Sequence, residues 1–130
     1  MKNLFDSSAI FRAIKENKIE TLTGNFTLDL ARYELGNIVW KDNVLQAKIS
    51  EQDSKKMAKV IRHTLTIMDI LGIAGNEEEI LETAIQLKIT FYDASYAYFA
   101  KAKELRLITE DLRLIKKIAP TINASTLDDI

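Results

Sequence analysis

Three short apolar runs in this chain each end in an aspartate placed to open a helix. They read Leu4-Phe5-Asp6-Ser7-Ser8, Ile89-Thr90-Phe91-Tyr92-Asp93-Ala94 and Leu107-Ile108-Thr109-Glu110-Asp111-Leu112. As parallel strands of one sheet, the runs set all three carboxylates along a single edge. That edge is the crevice outside the carboxyl ends of the strands, where open α/β sheets bind their ligands. Aspartates clustered with no lysine or arginine among them favour a hard divalent cation. The pattern points to a metal-dependent hydrolytic site.

The remaining segments fit the same architecture. Leu4 and Phe5 open a first strand, followed by a helix over 8–15, a second strand over 25–27 and a helix over 27–40 capped by Thr27. A polar linker over 41–50 leads to a long helix over 53–71, in which Met57, Val60, Ile61, Leu65 and Met68 recur at helical spacing. Gly72 and Gly75 end it. Asn76 caps the next helix, whose first turn carries Glu77, Glu78 and Glu79, where the macrodipole favours anions. A third strand over 87–91 precedes a helix over 93–104. A fourth strand at 106–108 precedes a helix that starts after Asp111 and stops before Pro120, and 121–123 supplies an edge strand. Strands alternating with helices imply βαβ units. The expected fold is a three-layer α/β/α sandwich on a mostly parallel four- to five-stranded sheet, one domain over 1–130.

Composition excludes several chemistries. With no cysteine, thiolate–zinc sites, disulfides and thiol nucleophiles are all ruled out. The single histidine, His63, and the lack of a Gly-x-Ser-x-Gly elbow argue against a Ser-His-Asp hydrolase. A net charge of −1 gives no bulk positive field to gather polyanions. Bound metal ions would supply local positive charge instead. Asp6, Arg12, Lys15 and Glu16 interrupt any leader-like apolar stretch, and no run is long enough to span a membrane. The expectation is a cytoplasmic protein.

Asp6, Asp93 and Asp111 each have an ordinary explanation as N-caps. Glu34 does not. It lies inside the 27–40 helix, three residues after Ala31 and four before Ile38, on the apolar stripe. A charge there must be paired, protonated or bound to a metal, and no basic residue sits one turn away. Thr109 and Ser8, beside two of the aspartates, are placed to orient a carboxylate or a water, or simply to serve the turns. Lys55, Lys59 and Arg62 read as a solvated helix face. Tyr92, Tyr96, Tyr98 and Phe99 have the chemistry to stack on bases, though core or interface packing is their simpler use.

Together, Asp6-Ser7-Ser8-Ala9-Ile10, Glu34-Leu35-Gly36-Asn37, Tyr92-Asp93-Ala94-Ser95-Tyr96 and Ile108-Thr109-Glu110-Asp111-Leu112-Arg113-Leu114 resemble the PIN-domain family, in order and over essentially the whole chain. The compact size is most similar to the VapC-type toxins of VapBC toxin–antitoxin pairs. The resemblance implies an Mg²⁺- or Mn²⁺-dependent endoribonuclease with the quartet Asp6, Glu34, Asp93 and Asp111 and support from Thr109. It also implies an RNA substrate, a small antitoxin partner and homodimerisation.

Three rivals make different demands. An aspartyl-phosphate phosphatase wants a second aspartate two residues after Asp6, where Ser8 stands. A signalling receiver domain wants an acidic pair at the first strand and a mid-chain acceptor. A catalytically degenerate PIN-like interaction module predicts no binding of Mg²⁺ or Mn²⁺.

Overall fold

The computed structural model describes residues 2–130. Its sheet is built from β1 (Asn3–Phe5), β2 (Phe26–Leu28), β3 (Asp69–Leu71), β4 (Arg106–Ile108) and β5 (Ala124–Ser125). The order is β3-β2-β1-β4-β5 and every pairing is parallel. The first strand therefore lies at the centre, with Leu4 opposite Phe26 on one side and Leu107 on the other. Because side chains alternate along a strand, neighbours feed opposite faces. Leu4 and Leu107 enter one core while Phe5 and Ile108 enter the other.

Six helices cover those faces among the described residues. α1 (Ser7–Lys15), α2 (Leu30–Trp40) and α3 (Glu51–Thr66) bury Ala9, Ile10, Leu35, Ile61 and Leu65 against Phe5 and Ile108. On the other face, α4 (Glu77–Leu87), α5 (Phe91–Ala102) and α6 (Leu112–Ile118) bury Ile80, Tyr96, Phe99, Leu114 and Ile118 against Leu4, Leu28 and Leu107. The result is the α/β/α sandwich on a five-stranded parallel sheet.

Several boundaries differ from the sequence reading. The long helix stops at Thr66, and Asp69, Ile70 and Leu71 leave it to form β3 beside β2. Their apolar spacing continues the helical pattern, so periodicity alone missed a three-residue strand. The run 87–91 is not a strand. Leu87 ends α4, Lys88 turns through the left-handed region at φ 56°, and Thr90 caps α5 by accepting the Asp93 N–H at 3.0 Å. Leu87, Ile89 and Phe91 pack into the core from this helix-to-helix corner and so imitate the alternation of a strand. Thr27 lies within β2, and α2 starts only at Leu30. Part of the expected linker, Lys41–Leu45, continues α2 as a wider helical turn. The edge strand falls at Ala124–Ser125 rather than over 121–123.

Candidate active site

β1 ends at Phe5, and Asp6 follows in extended backbone as the N-cap of α1. Its Oδ1 accepts the Ala9 N–H at 3.0 Å and the Ser8 hydroxyl at 2.6 Å. The side chain is buried. That loss of water, opposed only in part by bonds from Ser8, Thr109 and Ala9, pushes its pKa up from 3.8 to about 6. Across the central pair, β4 ends at Ile108, and Asp111 caps α6 by accepting the Leu114 N–H at 3.1 Å.

Ser8 and Thr109 fasten these two strand ends together. Ser8 Oγ donates to Asp6 and accepts the Glu110 N–H at 2.9 Å, and lies 3.4 Å from Thr109 Oγ1. Thr109, fully buried, accepts the Asp111 N–H at 3.1 Å.

Glu34 is half-buried on α2, yet it does not point into the core that Ala31 and Leu35 fill. It reaches over the carboxyl edge of the sheet to the other helical layer, where Tyr96 of α5 donates its hydroxyl to Oε1 at 2.7 Å. Ser7 also bonds it. Burial is the main reason its pKa is raised, with Asp93 adding repulsion. Tyr96, by sequence one of several candidate core aromatics, is thereby joined to the candidate site. Its buried phenol is held protonated by desolvation and by Glu34, well above the normal tyrosine range. No local signal marks it, because its partner lies 62 residues away.

Asp93 reaches the same edge by a different route from the one expected. It is not a cap but the third residue of α5, below the Thr90 cap. Burial first, then repulsion from Asp111, raises its pKa, while a bond with the Thr90 side chain and then the charge of Lys117 on α6 oppose this in part. Electrostatics thus links the quartet in sequence: Asp6 with Glu34, Glu34 with Asp93, Asp93 with Asp111. Among the described residues none of the four forms an ion pair with lysine or arginine. As placed, no three acidic or histidine side chains among the described residues converge closely enough to share one ion. The donor set is nonetheless chemically suited to Mg²⁺ or Mn²⁺. All four groups are hard oxygen donors, and a cation would offset the burial, and the smaller mutual repulsion, that raise the pKa values of Asp6, Glu34 and Asp93.

Glu110 faces elsewhere. Arg12 donates to it at 2.6 Å and also engages Glu16 and Asp128, while the second Glu110 oxygen accepts the Leu127 N–H at 2.8 Å. It ties α1 to the C-terminal segment. Asp69 opens β3 at the opposite end of the sheet from the carboxylates. His63 and the basic residues Lys55, Lys59 and Arg62 are exposed on α3.

A parallel α/β/α sandwich with a carboxylate cluster at the ends of its central strands defines a PIN-like protein. No protein-family model matches the chain. It is 34% identical to the protein named Exonuclease VapC9 of Pyrobaculum aerophilum over 100 residues, spanning 77% of this chain and 71% of that one. It is 28% identical to Ribonuclease VapC3 of the same organism, spanning 70% and 69%. The crystal structure of PAE2754 from Pyrobaculum aerophilum superposes with a TM-score of 0.83 at 27% identity, covering 99% of this chain and 92% of that one. VapBC2 from Rickettsia felis, solved with a DNA fragment from its promoter, shares the fold at a TM-score of 0.68 and 17% identity, covering 97% and 98%. The chain belongs to the VapC family of PIN-domain proteins.

Proposed function

We propose that this protein is a divalent-metal-dependent endoribonuclease, the toxin of a toxin–antitoxin pair acting in the cytoplasm. The observation that supports the reading is that Asp6, Glu34, Asp93 and Asp111, from four elements, perturb one another in sequence, with no lysine or arginine ion-paired to any of them among the described residues. The name of one curated relative, Ribonuclease VapC3, supports RNA as substrate, and the names of both support cleavage of nucleic-acid phosphodiester bonds.

Asp6, Glu34, Asp93 and Asp111 would hold Mg²⁺ or Mn²⁺. When bound, such an ion supplies Lewis-acid charge to the phosphate and its leaving oxygen. The chain's own residues do the positioning. Ser8 and Ala9 hold Asp6 Oδ1, Leu114 N–H holds Asp111, and the Tyr96 hydroxyl holds Glu34 Oε1. These bonds fix the carboxylates in place, and the oxygens they leave unbonded would be the ones to ligate an ion. The absence of an ion-paired cation in the quartet fits attack within a strand better than capture of a terminal phosphate, which would want an arginine fork. Exposed Tyr33, Trp40, Val44 and Leu45 on and after α2, and Leu81 and Ile85 on α4, offer apolar area for the antitoxin and a second copy of the chain. No helix among the described residues is long and apolar enough to cross a membrane.

The test is cleavage of a mixed single-stranded RNA with Mg²⁺, Mn²⁺ or EDTA. Cleavage should need the metal and fall at least about a hundredfold in Asp6→Asn. Metal-stimulated cleavage that survives Asp6→Asn overturns the assignment of the site. No cleavage and no metal binding by calorimetry identify a degenerate interaction module.

A further inference from the structure

Beside the carboxylate cluster lies an apolar recess of about 300 Å³ at the carboxyl ends of β2 and β3. Leu28, Leu30, Leu71, Ile73, Phe91 and Tyr92 wall it. It adjoins the quartet on two sides. Asp93 directly follows Tyr92 in the first turn of α5, and Glu34 lies one turn beyond Leu30 on α2. We propose that this recess seats one nucleobase of the RNA, the base flanking the bond cut at the quartet. The proposal rests on the ribonuclease reading and adds a specificity subsite to it.

The lining selects that occupant. It contains no lysine, arginine or histidine, so it has nothing to hold a phosphate. Its one carboxylate, Asp29, is engaged by Arg32 at 2.8 Å, and its one aliphatic hydroxyl, Ser95, donates to the Phe91 carbonyl at 2.9 Å, leaving the Tyr92 phenol as the other hydroxyl. What remains is apolar wall and the ring of Tyr92, 61% exposed at the rim. An exposed aromatic ring over an apolar slot suits a flat, uncharged ring system. Unpaired bases of single-stranded RNA are recognised by stacking of this kind. The volume is at the lower end for ligand clefts, which run about 300–1,000 Å³, and admits a single base. A larger recess of about 440 Å³ between α4 and α5 mixes Glu79, Glu82 and Lys101 and includes none of the quartet's immediate neighbours.

The test titrates methyl-labelled protein with adenosine, uridine, ribose and N-acetyl-leucine amide. These probes are uncharged, so neither metal nor cleavage is needed. The nucleosides should shift the Leu30, Leu71 and Ile73 methyls and leave Ile19 and Ile67, in a separate recess beside α3, in place. Tyr92→Ala should weaken binding roughly five- to hundredfold, and Tyr92→Phe should restore it. Equal shifts from ribose, no shift from nucleosides, or shifts from the leucine amide alone would overturn the proposal, the last by making the recess a peptide seat. A single abasic nucleotide walked along a cleaved RNA should slow cutting only when it adjoins the cut. A uniform effect at every position overturns the flanking assignment. Nucleoside binding with no ribonuclease activity would leave the base seat standing and reject the hydrolytic reading alone.

Discussion

Asp6→Asn should make the metal-free protein more stable. In the fold the Asp6 carboxyl binds protons more tightly than in the unfolded chain, its pKa rising from 3.8 to about 6 through burial. Each tenfold change in proton affinity is ~1.4 kcal/mol, so keeping Asp6 ionised costs the fold about 3 kcal/mol. The folded state binds more protons between these two values, so stability falls as pH rises through that window and is lowest above it. Asparagine caps helices as well as aspartate does, and its amide oxygen can still accept from Ala9 and Ser8. Urea unfolding in EDTA should therefore show the variant ahead by less than ~1 kcal/mol at pH 4 and by up to about 3 kcal/mol above pH 7. Adding Mg²⁺ should reverse the order by stabilising the native wild type alone. A variant less stable than wild type at pH 8 in EDTA would refute the reasoning, as would a difference that does not change with pH.

Tyr96→Phe removes one donor from Glu34 and should raise that carboxyl's pKa further, moving the acid limb of the cleavage profile to higher pH. A bond to a charged group contributes about 1.5–3 kcal/mol, so cleavage at neutral pH should fall roughly tenfold or more. Glu110→Gln should leave metal affinity by calorimetry unchanged while speeding hydrogen exchange at the Leu127 amide, whose acceptor it weakens. A loss of metal affinity instead would make Glu110 a ligand. A circular RNA should be opened by the protein, which an enzyme confined to strand ends cannot do.

Asp6 and Asp111 were legible because strand, aspartate and helix follow one another locally, and both caps form as that order implies. The strand that the sequence suggests before Asp93 does not form. The apolar residues before it belong to a helix corner, yet the turn still delivers the carboxylate to the sheet edge. Glu34 was legible as a charge on an apolar stripe, but its partner was not. Tyr96 reads as core filling until tertiary packing sets its hydroxyl against α2. β3 was hidden because three residues are too few to show a two-residue period against a preceding helix.

The hydroxyl of Ser8 bonds both Asp6 and the amide of Glu110, joining positions 102 residues apart in the chain. β1 lies at the centre of the sheet and is made well before β4, the strand that must pair beside it. A nascent chain still short of residue 106 holds Asp6 and Glu34 but lacks the strand that sets Asp111 beside them. If the quartet is the cutting site, the polypeptide is harmless to the message encoding it until β4 and Asp111 have been made. Its activity would then be timed by the order in which its strands leave the ribosome.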